Sequence, residues 1–473
     1  MVFSSNVFLF LFLPAFLAVY YLTPNRGRLR NWVVLIGSYA FYAWWRLDFL
    51  ALFAAVTVWN YLIGLAIARN GVKTAQSRRW LALGVTIDLC TLGYFKYANF
   101  GVESLNALLA GAGFEPFVLT HVLLPIGISF YVFESISYIV DVYRGDTPPT
   151  RHAVDFATFV ALFPHLIAGP VFRYKDLADQ FVDRSHTLEK FGEGAVRFMQ
   201  GFVKKVFIAD TLAPLANHGF ALHDPTMADA WLGAFAYTAQ LYFDFSGYSD
   251  MAVGLGLMMG FRFVENFNQP YVSQSITEFW RRWHMSLSSW LRDYLYVSLG
   301  GNRKGVLNTY RNKFLTMLLG GLWHGANWTF LLWGMWHGIL LCLEHALGVK
   351  SSPARFRLHR WALTFLFVIL GWVMFRSPGA GAAWNFYQAM FGFDGLGLSE
   401  VFTGDIDRLQ VATLLLACGV AALGGASQYL PPSVVHRYLT APAASPLLLF
   451  PVFVLALLKL SAQSYSPFLY FQF

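Results

Sequence analysis

Thirty consecutive residues, Phe314 to Leu343, contain no Asp, Glu, Lys or Arg. Further stretches share that property, among them Met1–Asn25, Asn31–Trp45, Phe49–Ala68, Trp361–Phe375, Leu409–His436 and Tyr438–Leu458. Crossing the hydrocarbon core of a bilayer takes about 20 apolar residues. The whole chain follows the same trend, with 57% hydrophobic and 13% charged residues and a mean hydropathy of +0.49. A soluble domain carries about 25% charged residues. A soluble fold of 473 residues has too little core to hide this much apolar surface. The pattern excludes an ordinary cytosolic enzyme, a disordered chain and a nucleic-acid-binding module. It predicts an all-α polytopic membrane protein.

Further apolar segments with at most three charges lie between them: Ala82–Phe95, Val122–Val140, Phe156–Val171, Phe202–Phe220 and Trp231–Phe261. Together they predict roughly 11–13 tilted or re-entrant membrane segments. Met1–Asn25 lacks a basic n-region and reads as a first membrane helix, not a signal peptide. The net charge of +8 is concentrated in loops at Arg26–Arg30, Arg69–Arg79, Arg144–Arg151 and Arg173–Lys205. Basic loops face the cytoplasm, which predicts an external N-terminus. One membrane-embedded domain is expected over 1–473, with N-terminal helices in 1–150, a catalytic core in 151–350 and C-terminal helices in 351–473. Cys90, Cys342 and Cys418 are far apart, so a disulfide framework is not expected.

The run Phe163-Pro164-His165-Leu166-Ile167-Ala168-Gly169-Pro170 holds two prolines within seven residues. Broken backbone at membrane depth is tolerated only against protein or a watery cavity. This predicts a re-entrant segment; the alternative is a proline-kinked helix.

Polar groups at membrane depth are expensive, so they have a partner or a task. Tyr242–Asp250 places Asp244 and Asp250 six residues apart in an aromatic helix, on different faces. They either wall a polar cavity or lock neighbouring helices together. In Glu278–Asp293, Trp280, Trp283, Leu287 and Trp290 recur at helical spacing. That predicts one amphipathic helix, with Glu278 pairing Arg281 or Arg282 and with His284 and Ser288 on one face. The arginines suit lipid headgroups or an anionic ligand. His284 either lines a site or packs.

Leu322-Trp323-His324-Gly325-Ala326-Asn327-Trp328 is the sharpest signal. A second Trp-His-Gly follows at Trp336–Gly338. On one continuous helix the thirteen-residue spacing turns His337 about 220° away from His324. The pair alone would not chelate a metal, and no dense ligand set exists, so no metal is expected. A buried neutral imidazole can take a proton from a hydroxyl. No G-x-S-x-G elbow or Cys–His nucleophile pattern is present, which favours direct attack over an acyl-enzyme.

At these residues the chain resembles the membrane-bound O-acyltransferase superfamily. Within it, the resemblance is to the branch that O-acetylates exported polysaccharides of Gram-negative bacteria, alginate among them. It runs from Met1–Phe12 through Ser38–Asp48, Leu124–Tyr143, Phe163–Pro170, Tyr242–Met251, Phe279–Tyr296 and Leu319–Asn327 to the tail Leu460–Phe473. The resemblance implies a ring of tilted and re-entrant helices around a central funnel. It implies His324 inside that funnel, and His284 as the second polar position. It further implies acetyl-CoA as donor with no tightly bound cofactor, periplasmic partner proteins, a polysaccharide acceptor and a place in the inner membrane.

The expected activity is therefore O-acetyl transfer from a cytoplasmic donor to an exported polysaccharide. His324 would act as base and His284 would position or polarise the thioester carbonyl. Arg281, Arg282, Arg303 and Lys304 offer positive charge to CoA phosphates. Asp244, Asp250 and Asn327 would line the cavity. The alternatives are a polysaccharide or acyl-group flippase and a scaffolding subunit. No duplicated half supports the first, and two Trp-His-Gly motifs at depth are superfluous in the second. The aromatic tail Tyr465–Phe473 is expected to pack on the bundle or dock a partner.

Overall fold

The computed structural model describes residues 2–166, 169–349, 356–393, 395–427 and 445–463. The expected tail Tyr465–Phe473 lies outside them. Every regular element among the described residues is helical. The chain forms two compact units, Met1–Phe191 with Leu255–Val264, and Gly192–Gly254 with Glu265–Phe473.

The first unit is built on α1 (Leu13–Leu22), α2 (Leu29–Ala43), α3 (Asp48–Arg69), α4 (Ala75–Gly111) and α5 (Ile128–Arg144). In α3 the buried residues are Phe53, Val56, Thr57, Asn60, Ile63, Gly64 and Ile67, a stripe at i, i+3 and i+4. The opposite face is equally apolar, yet Val58 and Leu62 are more than half exposed. An apolar face without protein cover is what lipid requires. Polar pins fix the packing. Asn60 Nδ2 donates to Asp88 Oδ1 of α4 at 2.9 Å. Asn31 Nδ2 of α2 donates to Asp155 Oδ1 at 2.8 Å.

The backbone breaks where the two prolines predict it. α6 (Ala153–Ala161) ends at Leu162, and α7 (Phe163–Leu166) is a single buried turn. His165 ties this turn down. Its Nδ1 lies 2.9 Å from Glu134 Oε1 of α5, and its Nε2 lies 3.1 Å from the Phe159 carbonyl. α8 (Tyr174–Val182) completes this unit, and α9 (Leu188–Phe202) leads out of it.

The second unit holds α10 (Asp210–Ala221), most of α11 (Met227–Met258), α12 (Ile276–Trp280), α13 (Met285–Trp290), α14 (Val306–His324), α15 (Trp328–Ala346), α16 (Leu358–Arg376), α17 (Ala380–Phe391), α18 (Glu400–Asp405), α19 (Arg408–Ala426) and α20 (Pro446–Ala462). Two sequence expectations change here. The amphipathic helix expected over Glu278–Asp293 is broken between α12 and α13. The charge-free run Phe314–Leu343 is a helical hairpin, not one continuous helix.

Among the described residues, three helices are long and apolar enough to cross a membrane: α3, α16 and Arg408–Gly425 of α19. Only 39%, 39% and 22% of their apolar windows are buried in protein. The other apolar stretches form shorter helices, such as α20, or carry charged residues, such as α4 and α11. The 11–13 expected segments are thus not uniform spanning helices.

Candidate active site

α14 ends at His324 because Gly325 adopts extended backbone, φ −163°. Asn327 then caps α15, its Oδ1 accepting from Thr329 N–H at 3.1 Å while Nδ2 donates to the Pro378 carbonyl at 3.0 Å. Asn327, expected to line the cavity, holds the hairpin turn through these bonds. The two helices touch through glycines. A Cβ on Gly321 would lie 2.8 Å from Gly334 Cα, so only hydrogen fits there.

This approach folds Trp333 back onto His324, edge to face, at 5.1 Å between ring centres. Trp333 also meets His337 at 5.0 Å. The 220° argument fails because no continuous helix joins the two histidines. Instead both rings meet the same indole. His337 is fully buried against Trp280, Trp333 and Phe279, and neither of its ring nitrogens has a hydrogen-bond partner among the described residues.

His284 comes to His324 from a different direction. Their ring centres are 6.3 Å apart. His284 is fully buried, and Phe245 of α11 meets it edge-on at 4.8 Å. Its backbone is left-handed, φ 44° and ψ 53°, which ends the α12 segment and starts α13. Such backbone in a non-glycine residue is strained and clusters at functional sites. It also corrects the expected shared helix face of His284 and Ser288, since His284 precedes the first turn of α13. The turn persists because Asn266 satisfies the N–H groups that open α13. The Met285 N–H donates to the Asn266 carbonyl at 2.9 Å, and Ser286 N–H and Oγ–H donate to Asn266 Oδ1 at 3.3 and 2.8 Å. Asn266 Oδ1 also lies 3.1 Å from His284 Nδ1.

The remaining expected site residues are engaged with partners. Asp244 pairs with Lys205 Nζ at 2.7 Å, and the same ammonium reaches Asp210 at 2.6 Å. Asp250 pairs with Lys204 at 2.6 Å and Arg197 at 2.7 Å. Both carboxylates thus join α11 to the π-helical turn Val203–Ala209 or to α9, the geometry of the helix-locking reading. Arg282 pairs with Glu278 at 2.8 Å, the i,i+4 partner expected for it, and Arg281 is exposed. The structure brings His284 and His324 together, lined by Trp323, Trp333, Phe245 and Phe375.

Asn266 and Phe375 carry no motif in the sequence, and Phe245 lies in the aromatic run Tyr242–Asp250, where only the two carboxylates stand out as site candidates. Asn266 stands in an ordinary loop between α11 and a proline, and a lone loop asparagine gives no signal. The break before α15 did have one: Asn327 directly before an apolar run is an N-cap pattern.

Known proteins place the chain in a family. A family model, the membrane-bound O-acyltransferase family, matches residues 28–380. A Pseudomonas putida protein named "Probable alginate O-acetylase AlgI" is 64% identical over the full length of both chains. The Pseudomonas aeruginosa protein of the same name is 60% identical, again over the full length of both. The peptidoglycan O-acetyltransferase of Helicobacter pylori is 35% identical over 85% of this chain and 82% of its own. The chain belongs to the membrane-bound O-acyltransferase family and is a membrane-embedded acyltransferase.

Proposed function

We propose that this chain moves acetyl groups from acetyl-CoA to hydroxyls of an exported polysaccharide, alginate, with His324 as general base. One observation carries the reading: two histidines from separate elements converge inside an aromatic shell, in a chain of an acyltransferase family. The names of the full-length relatives, probable alginate O-acetylases, support this choice of polymer.

In the proposed reaction His324 takes the proton of an attacking hydroxyl. The new C–O bond forms as the C–S bond of the thioester breaks, and the proton then passes to the CoA thiolate. A positioned base contributes about 10²–10⁴-fold to such a step. The aromatic walls keep bulk water from hydrolysing the thioester. The donor arrives from the cytoplasm past Arg281, Arg282, Arg303 and Lys304, whose charge suits its phosphates. The acceptor is the polymer itself or the hydroxyl of a periplasmic partner that passes acetyl on. The setting is the bacterial inner membrane, with the N-terminus in the periplasm and a tunnel open to both faces.

The test uses purified protein in nanodiscs with isotope-labelled acetyl-CoA. CoA release by wild type and its loss in folded His324→Ala support the reading. Release at the wild-type rate from His324→Ala removes His324 as the base.

A further inference from the structure

The hydrogen bonds around Asn266 fix more than a loop. Which way an amide points, and which nitrogen of an imidazole carries the proton, follow from the partners each must satisfy. The Ser286 backbone N–H faces Asn266 Oδ1 at 3.3 Å. A backbone N–H only donates, so the amide oxygen stands there and not its NH₂. His284 Nδ1 approaches the same oxygen at 3.1 Å. An amide oxygen only accepts, so the proton of the neutral His284 ring is on Nδ1. Its Nε2 then holds a lone pair. That nitrogen is buried and has no hydrogen-bond partner among the described residues.

We propose that Asn266 is a positioning residue: it locks His284 as the Nδ1–H tautomer, so that Nε2 serves as the hydrogen-bond acceptor that orients His324. This rests on the acyltransferase reading of the histidine pair. A neutral His284 held this way has no N–H to offer a thioester carbonyl, so the role expected from the sequence is reversed. Its lone pair suits a donor. The donor at hand is the N–H of His324. The 6.3 Å between ring centres is longer than a direct N–H···N bond spans, so the proposed contact runs through one bridging water. The arrangement follows the logic in which a nucleophile's base is itself oriented by a third group. When His324 takes the hydroxyl proton, its second N–H donates toward His284 Nε2 and the imidazolium is stabilised. No proton leaves His284 in the process. The left-handed backbone of His284 and the bonds from Met285 and Ser286 to Asn266 keep the ring in place.

The experiment uses the full chain in nanodiscs with ¹⁵N-labelled histidine, the His284 signals being identified by their loss in His284→Gln. Wild type is expected to show the Nδ1–H tautomer. Asn266→Leu is expected to lose that signature. It should also lower kcat for acetyl transfer about tenfold or more, a part of the ~10²–10⁴ that a positioned base supplies, with the KM for acetyl-CoA unchanged. Asn266→Asp keeps the acceptor oxygen and is expected to keep both the tautomer and most of kcat. A wild-type His284 protonated on Nε2 overturns the proposal, and it does so whether or not acetyl is transferred. A folded Asn266→Leu that loses the tautomer yet keeps wild-type kcat overturns it too. The spectrum thus decides the tautomer even if the substrate reading fails.

Discussion

The rings of His284 and His324 stand 6.3 Å apart with their planes inclined at 64°. Two breaks in helical backbone produce this meeting. One is the left-handed turn at His284 itself, and the other is the extended Gly325 that ends α14 at His324. Each histidine sits at a helix terminus, where a ring can leave the helix surface and face a neighbour.

The two Trp-His-Gly motifs should behave differently. His324→Gln removes the proposed base and is expected to lower acetyl transfer by about 10²-fold or more. His337 packs among aromatic rings with both ring nitrogens unpaired among the described residues. His337→Met roughly conserves volume and removes two buried polar atoms, so it should change stability by less than about 1.5 kcal/mol. Its transfer rate should stay near wild type. A His337→Met protein that is folded and inactive would assign His337 to the chemistry.

The hairpin depends on a bare backbone contact. A side chain at Gly334 would meet the Met317 carbonyl and Gly321 Cα. Gly334→Val should therefore cost about 1–3 kcal/mol through overpacking. It should also push Trp333 off His324, lowering kcat in whatever protein folds. Equal thermal midpoints for Gly334→Val and wild type would refute the close approach.

Apolar patterning reported sides faithfully and continuity poorly. Trp280, Trp283, Leu287 and Trp290 recur at helical spacing, and Trp283, Leu287 and Trp290 are buried. The spacing records which face meets the core. It is silent about a single left-handed residue between two short helices, since that turn leaves both faces inward. The break at Phe163–Pro170 was legible because proline acts on its own backbone. The Asn266–His284 contact was not legible, because eighteen residues of loop and helix separate partners whose types are common. The membrane class was legible from composition alone, as lipid leaves its mark on every exposed face.

Lys205 joins two helices through two carboxylates, and all three side chains are at most 5% exposed. Lys205→Met leaves Asp210 and Asp244 buried without their shared cation, which should cost about 3–5 kcal/mol. Asp244→Asn keeps a hydrogen-bond acceptor and should cost less, with the KM for acetyl-CoA unchanged. A raised KM in a fully stable Asp244→Asn protein would place Asp244 at the substrate site.

His165 lies between two acceptors, the Phe159 carbonyl and Glu134. Glu134→Leu strands a buried ring nitrogen, which should cost about 1–3 kcal/mol and lower the yield of folded protein. Glu134→Gln retains a polar partner for the ring and should be milder. Identical yields from the two variants would show that the contact does not hold the broken segment.

His186 gives the fold a dependence on pH. It lies in the loop between α8 and α9, outside the spanning helices. Tyr20 donates its hydroxyl proton to the Met259 carbonyl at 2.6 Å, so the tyrosine oxygen accepts from Arg184 Nε at 3.0 Å and from His186 Nε2 at 2.8 Å. Burial, aided by Arg30, Arg184 and Lys190, pushes the imidazole from 6.5 down to about 4. The unfolded chain therefore binds a proton at His186 below about pH 6.5, and the folded chain only below about pH 4. Between those limits the unfolded state holds more protons, so stability falls as pH falls. Above pH 6.5 the contribution is fully present, and below about pH 4 no more is lost. His186→Gln keeps an N–H donor for Tyr20 and does not titrate. Thermal midpoints of both proteins, measured in nanodiscs from pH 7 to pH 4.5, should diverge, with wild type falling more steeply. Parallel slopes would show that His186 is as free to protonate in the folded chain as in the unfolded one.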